Sequence, residues 1–74
     1  MNLGELVDII SDPYLQVRVV SELDQKPELR GKVLYSGEIQ NIFHDNSIIF
    51  DDVYLDELYV DYIDVGDEFT IYVC

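Results

Sequence analysis

The sequence predicts an α+β domain in which a short N-terminal helix packs on a twisted antiparallel sheet of four or five strands. Two patterns favour this fold class. Apolar residues recur at helical spacing near the N-terminus, and they alternate with polar residues in several later segments. A chain of 74 residues has room for a single domain, 1–74, near the size at which folding buries only about 60% of the unfolded surface.

The helix is expected at residues 3–11. Its apolar face follows the i, i+3, i+4, i+7 pattern and consists of Leu3, Leu6, Val7 and Ile10. Asn2 stands at the N-cap position, and Glu5 follows three residues later, as in a capping box. Asp12-Pro13 ends the helix, because proline disfavours the helical conformation in the residue before it.

Two strands are predicted in the first half of the chain. Strand one, 15–21, has alternating apolar residues at Leu15, Val17 and Val19. The segment 21–31 contains a proline and a glycine without an apolar period, which is typical of a loop joining a hairpin. Strand two follows at 32–40, where Gly37 indicates a bulge or a close backbone approach.

The pattern breaks at 41–47, and His44-Asp45-Asn46 is typical of a turn. Ile48-Ile49-Phe50 is a candidate short strand, and Tyr54-Leu55 is expected in a helical turn that leads into the next strand.

The C-terminal segment predicts a hairpin, with strand three at 57–64, a turn at 64–67 and strand four beginning at Glu68. Strand three is expected to place Leu58, Val60 and Tyr62 on one face and Glu57, Tyr59 and Asp61 on the other. In strand four the inward residues are Phe69, Ile71 and Val73, and the outward residues are Glu68, Thr70 and Tyr72.

Charge excludes several classes of partner. Sixteen acidic and four basic residues give a net charge of −12, which opposes direct binding to nucleic acid or an anionic membrane, so a basic partner is expected. Residues 45–74 hold nine of the acids and no base. No apolar run exceeds three residues and no signal-peptide pattern opens the chain, so the expected location is the cytoplasm.

No catalytic, metal or cofactor site is expected. Cys74 has no second cysteine to pair with, which suits a reducing compartment. His44 has no cysteine or other histidine to complete a zinc shell. The acids at 61–68 lack the spacing of a calcium-binding loop, and nothing pairs a nucleophile with a base.

The candidate site is the acidic stretch 51–68, where eight carboxylates alternate with apolar and aromatic residues that favour a folded strand. Outward residues two apart on a strand are separated by roughly 6.8 Å, a spacing comparable to that of phosphates along a nucleic acid. The candidate partner-binding residues are Asp51, Asp52, Asp56, Glu57, Tyr59, Asp61, Asp64, Asp67, Glu68 and Tyr72. A surface that serves solubility alone, with tyrosines as cross-strand packing partners, is the simpler alternative.

Several short motifs also follow one another along the chain: Leu6-Val7-x-Ile9-Ile10, Asp12-Pro13, Val17-Arg18-Val19, Gly37, Leu55-Asp56, Val60, Ile63 and Ile71-Tyr72-Val73. In this order they resemble small acidic accessory proteins encoded by phages and prophages of Gram-positive bacteria. The resemblance spans most of the chain and departs at 41–53. It implies a phage context, in which such proteins are often inhibitors of host enzymes, and it transfers no site residue.

Together these observations predict a non-enzymatic phage or mobile-element inhibitor that mimics DNA. It would bind the basic nucleic-acid site of a host defence nuclease, in an anti-CRISPR-like or anti-restriction-like manner, within the host cytoplasm. The alternative is a small structural or assembly module that dimerises or docks on a partner through its tyrosine-bearing sheet. Salt distinguishes the two, because binding by a phosphate mimic weakens steeply as salt rises.

Overall fold

The computed structural model describes residues 1–23, 27–43, 48–50 and 53–74. Within these ranges the chain forms one helix, six strands and three short 3₁₀ turns. The helix is α1 (Leu3–Ile9), and the strands are β1 (Gln16–Ser21), β2 (Val33–Glu38), β3 (Ile48–Phe50), β4 (Val53–Tyr54), β5 (Val60–Val65) and β6 (Phe69–Val73). The 3₁₀ turns are Pro27–Leu29, Ile39–Asn41 and Leu55–Glu57. The predicted turn at 44–46 lies outside the described residues.

The main sheet has four strands in the order β2-β1-β6-β5, and it is mixed rather than antiparallel. Each outer pair, β1–β2 and β5–β6, is antiparallel, whereas the central strands β1 and β6 run parallel. The α+β class is therefore confirmed, and the prediction of a wholly antiparallel sheet is wrong at its centre. Apolar alternation determines which face of a strand is buried but not its direction, and residues 22–68 are a long enough connection for a parallel pair.

The apolar core lies on one face of this sheet. Parallel pairing sets Val17, Val19 and Ser21 of β1 beside Phe69, Ile71 and Val73 of β6. The helix and the 3₁₀ turns cover this face with Leu3, Leu6, Ile39, Ile42, Leu55 and Leu58, all of which are buried. The inward face predicted for strand four is thus confirmed, as is the packing of the helix on the sheet.

Helix α1 begins where the sequence predicts. The Asn2 side chain accepts a hydrogen bond from the Glu5 backbone N–H at 2.8 Å, and the Glu5 carboxylate accepts one from the Asn2 N–H at 3.1 Å, which completes the capping box. The helix ends at Ile9, two residues earlier than expected, because Ile10 is already extended at φ −88° and ψ 120°. A helix of seven residues is marginal alone, so its buried face on the sheet must hold it.

The β1–β2 hairpin closes through a loop that contains Gly31, as predicted. The Gly31 N–H donates to the Ser21 carbonyl at 2.7 Å, and Gly31 has φ +83°, a left-handed conformation that favours glycine. Register shifts between Val19 and Val20, so the irregularity in this pair is not at Gly37.

Gly37 instead accommodates a close approach. It has φ +150°, and a Cβ added there would lie 3.0 Å from the Tyr35 hydroxyl oxygen. Tyr35 lies two residues away on the same face, and its hydroxyl donates a hydrogen bond to the Glu38 carbonyl beyond the glycine. The missing side chain therefore leaves room for an aromatic residue on an edge strand, the second of the two roles expected for Gly37.

The short strand predicted at Ile48–Phe50 is confirmed. It pairs with β4 as an antiparallel ladder separate from the main sheet. The 3₁₀ turn Leu55–Glu57 follows, in agreement with the helical turn predicted around Tyr54-Leu55, and fully buried Leu55 joins the core. Among the described residues, no helix is long and apolar enough to span a membrane.

Candidate binding surface

The described acids of the candidate site are all exposed to solvent: Asp56, Glu57, Asp61, Asp64, Asp67 and Glu68. They do not form one strand face. Asp61 and Asp64 belong to β5, and Asp67 and Glu68 lie in the turn between β5 and β6. Asp51 and Asp52 lie outside the described residues.

Asp56 and Glu57 belong to a different part of the molecule. They lie in the 3₁₀ turn that packs against α1, where a Cβ added at Gly4 would be 3.3 Å from the Asp56 carbonyl oxygen. Because β5 begins at Val60, Glu57 is not in the strand, and the predicted start at residue 57 is wrong. The candidate acids are therefore divided between the helix side of the domain and the C-terminal hairpin.

The C-terminal hairpin contains a register shift at Asp61. Val60 pairs with Val73 but Tyr62 pairs with Tyr72, so Asp61 has no partner on β6. Beyond this extra residue the alternation of β5 is reversed, and Tyr62 faces away from the core, not with Leu58 and Val60 as predicted. Such a shift depends on pairing with another strand, so alternation along β5 could not reveal it.

We call the sheet surface opposite the core the open sheet face. Strand register assigns to it Gln16, Arg18, Val20, Val33, Ser36, Glu38, Tyr62, Asp64, Thr70 and Tyr72. None of the buried apolar side chains belongs to this set. Thr70 was predicted to point outward and does lie on this face, but it is only 4% exposed, between Arg18 and Asp64 in the register.

Two stacked tyrosines occupy the β5–β6 part of the open sheet face. The rings of Tyr62 and Tyr72 have centroids 4.3 Å apart and are inclined by 14°. Tyr62 remains 48% exposed, so one side of the pair is available to solvent. Tyr59, predicted to lie outward near Tyr72, is exposed, and its backbone exchanges hydrogen bonds with Cys74 just before β5.

A carboxylate in the residue after β1 holds the stacked pair in place. The Tyr62 hydroxyl donates to Glu22 Oε1 at 3.1 Å, linking residues 40 apart in the chain. Partial desolvation raises the pKa of the Tyr62 phenol above its usual value, and the hydrogen bond to Glu22 and the negative charge of that carboxylate raise it further. At neutral pH the hydroxyl is therefore protonated and donates.

A guanidinium also lies on the open sheet face. Arg18 Nε is 3.3 Å from Glu68 Oε2, and the two side chains are 43% and 57% exposed. Arg18 Nε is shielded from water and makes no hydrogen bond of acceptable geometry with the described residues, so its pairing with Glu68 is ionic. An ion pair this exposed stabilises by about 0–1 kcal/mol.

Three residues that make the polar and aromatic side-chain contacts at this surface were not among the predicted site residues: Arg18, Glu22 and Tyr62. Arg18 had a usable signal, since it alternates with the buried valines of β1. Glu22 and Tyr62 had none, because only the parallel pairing of β1 with β6 and the register shift of β5 bring them together. Tyr72 lies on the open sheet face, in agreement with its predicted outward position, and Asp64 and Glu68 are exposed, but Glu68 lies in the turn before β6 and not in the strand.

An open groove of about 500 Å³ lies beside α1, lined by Val7, Ile39, Gln40, Ile42 and Phe43, next to a segment outside the described residues. In the part of the chain that the structure describes, no group of three or more His, Cys, Asp or Glu side chains is arranged to hold a metal ion.

Comparison with known proteins found no matching family model, curated protein or solved structure.

Proposed function

We propose that the protein is a non-enzymatic phage or mobile-element inhibitor that binds the basic nucleic-acid site of a host defence nuclease. The observation that carries the proposal is the exposure of every described acid between residues 56 and 68 in a protein of net charge −12. Among the described residues, Asp61 and Asp67 make no side-chain hydrogen bond or ion pair. Their charge is therefore available to attract a basic surface.

Charge density supports this proposal better than regular spacing does. The sequence predicts a ladder of carboxylates two residues apart, but Glu57 lies in a 3₁₀ turn and the register shift at Asp61 interrupts β5. The inhibitor would thus act as a compact polyanion that competes with DNA or RNA, without a one-to-one match of carboxylate to phosphate. The proposed setting is the host cytoplasm, the compartment in which such nucleases act.

Purified restriction endonucleases and RNA-guided nucleases test the proposal directly. Cleavage of a DNA substrate is measured with increasing amounts of this protein, at low and high salt. The expected result is inhibition of at least one nuclease that is relieved by excess DNA and by salt, because both compete for the basic site. A nuclease that bound this protein and its DNA together, without loss of cleavage, would contradict nucleic-acid mimicry.

A matched pair of charge reversals locates the surface. Asp61→Lys with Asp67→Lys alters the C-terminal hairpin, and Asp8→Lys with Glu28→Lys alters exposed acids elsewhere. Each double variant changes the net charge from −12 by +4 to −8, so total charge is held equal. The hairpin variant is expected to lose inhibition at least tenfold more than the control. Glu5 is unsuitable for the control because its carboxylate completes the capping box.

The second candidate is a docking module that uses the tyrosine-bearing sheet, and the Tyr62–Tyr72 stack favours it. Aromatic side chains are enriched at protein interfaces, where they supply large contact areas. Binding dominated by this apolar area would change little between low and high salt, whereas binding by an inhibitory polyanion would weaken. The salt dependence of any complex therefore separates the two functions.

A further inference from the structure

We infer that the contact surface for a basic partner extends from the acidic C-terminal hairpin onto the open sheet face, and that the open sheet face is suited to arginine side chains more than to lysine. The inference rests on the proposed function, which supplies the basic partner, and adds which surface and which side chain are used. It is carried by three features of the described residues: an exposed aromatic stack, carboxylates around it and a guanidinium already accommodated there.

The aromatic feature is the outer side of the Tyr62–Tyr72 pair. Tyr72 covers one side of the Tyr62 ring at a centroid distance of 4.3 Å, and Tyr62 is still 48% exposed. A planar guanidinium stacks on such a ring and is weakly hydrated, whereas an ammonium is strongly hydrated and has no plane to stack. The Glu22 carboxylate, 3.1 Å from the Tyr62 hydroxyl, holds the ring in place and adds negative charge beside it.

The charge of the open sheet face selects a cationic partner. Two acids lie on this face, Asp64 and Glu38, and two more contact its side chains, Glu22 and Glu68. Arg18 is the one base that strand register assigns to the face. A second copy of the chain would bring the same acidic face against itself, because a two-fold interface repeats one patch on both subunits. The excess of carboxylates therefore favours a basic protein segment over self-association.

Arg18 shows how an arginine is held on this face. Its Nε lies 3.3 Å from Glu68 Oε2, and its side chain is 43% exposed. Arg18 thus lies beside a carboxylate on a partly exposed surface. A partner arginine would find the same combination between Tyr62 and Asp64. Replacing Arg18 by glutamine removes the competing internal cation, so Arg18→Gln is expected to tighten binding of a cationic peptide.

Two peptides of equal charge test this inference. A nine-residue oligo-arginine and a nine-residue oligo-lysine are titrated separately into ¹⁵N-labelled protein at low salt, and amide chemical shifts are recorded. Oligo-arginine is expected to bind about fivefold tighter than oligo-lysine, as a cation–π contact would provide. The largest shifts are expected in β1, β5 and β6. Equal affinities, or shifts spread evenly over α1 and the hairpin turn, would overturn the inference.

Single substitutions test whether the Tyr62 ring itself provides the preference for arginine. Tyr62→Leu keeps an apolar side chain on the edge strand and removes the ring, and Tyr14→Leu is the matched control, since Tyr14 is 68% exposed and lies in the turn before β1. Tyr62→Leu should abolish the preference for arginine, while Tyr14→Leu should leave it unchanged. Glu22→Gln, which keeps the ring, should weaken oligo-arginine binding about twofold. An unchanged preference in Tyr62→Leu refutes the aromatic contact.

The two proposals fail separately. If nucleases are inhibited and the hairpin reversal abolishes inhibition, but the peptide shifts avoid the open sheet face, the proposed function holds and this inference fails. If oligo-arginine maps to the open sheet face but no nuclease competes with DNA for the protein, the inference holds for a basic partner of another kind and nucleic-acid mimicry fails.

Discussion

Replacing Gly37 with alanine provides a quantitative test of how the edge strand β2 is built. The residue has φ +150°, which L-amino acids rarely adopt, and a strained backbone of this kind costs about 1–3 kcal/mol. The new methyl group would also lie 3.0 Å from the Tyr35 hydroxyl oxygen, which must move away from its bond to the Glu38 carbonyl. Losing that bond costs about 0.5–1.5 kcal/mol.

A smaller effect opposes these two. Alanine restricts the unfolded chain more than glycine does, which stabilises the folded state by about 0.4–1 kcal/mol. The net expectation for Gly37→Ala is a loss of about 2 kcal/mol in the free energy of unfolding. For a domain of this size each kcal/mol lowers the melting temperature by about 4–8 °C. Urea and thermal unfolding followed by circular dichroism measure both quantities.

Two other glycines serve as controls. Gly31 has φ +83° but open space around its missing Cβ, so Gly31→Ala should cost only the left-handed strain of about 1 kcal/mol. At Gly66 the nearest atom to an added Cβ is Asp64 Oδ1 at 4.0 Å, and its φ is not left-handed. Gly66→Ala should therefore leave stability unchanged or raise it slightly.

A double-mutant cycle isolates the contact with the ring. In a Tyr35→Phe background the hydroxyl is absent, and the nearest ring atom, Cζ, is 3.4 Å from the added Cβ. The cost of Gly37→Ala should then fall by about 1 kcal/mol, since only backbone strain remains. If Gly37→Ala lowers the free energy of unfolding no more than Gly31→Ala does, and Tyr35→Phe does not change that loss, Gly37 does not serve to leave space for the Tyr35 side chain.

Three further outcomes are expected. Asn2→Ala should lower the free energy of unfolding by about 1 kcal/mol in urea titrations, because it removes the cap on the Glu5 N–H; an unchanged midpoint would contradict the capping box. The free energy of unfolding should rise as sodium chloride increases from about 0.01 M to 1 M, where the Debye length falls from roughly 30 Å to roughly 3 Å. At low salt, repulsion between carboxylates acts across the whole molecule, whose radius of gyration is 11.3 Å. A free energy of unfolding that fell with salt would show that attractive ion pairs dominate. Desolvation raises the pKa values of Tyr35 and Tyr62 above 10.0, with further contributions from Glu38 and Glu22 respectively, so the stability that these tyrosines contribute is complete below about pH 10 and is lost as pH rises through their folded-state pKa values. An ultraviolet titration of phenolate absorbance should show that Tyr62→Phe has one late-titrating tyrosine fewer. An unchanged titration would contradict the hydrogen bond to Glu22.

The register shift at Asp61 matters for any function of the C-terminal hairpin. Without it, Tyr62 would face the core side with Val60, and the open sheet face would lack its aromatic pair. A β-bulge places one extra residue in a strand and reverses the faces of those that follow. One unpaired residue thus brings Tyr62 beside Tyr72 and within hydrogen-bonding distance of Glu22.

The sequence alone determined those features that depend on neighbouring residues. The cap at Asn2, the helical face of Leu3 and Leu6, the alternating burial in β1, the inward residues of β6 and the hairpin joining β5 to β6 follow from short-range patterns. Local periodicity reports which side of an element must be buried, and this requirement is the same whatever elements cover it. The acidic character of the C-terminal half is likewise a property of composition.

The tertiary structure alone decided strand direction, register and the membership of the open sheet face. Nothing in the residues of β1 or β6 requires a parallel pair, and nothing along β5 identifies Asp61 as unpaired. These choices are set by contacts between segments far apart in the chain, where loop closure and core packing select one arrangement. For this reason the exposed acids were predictable, whereas the contacts of Arg18 with Glu68 and of Glu22 with Tyr62 became visible only in the folded sheet.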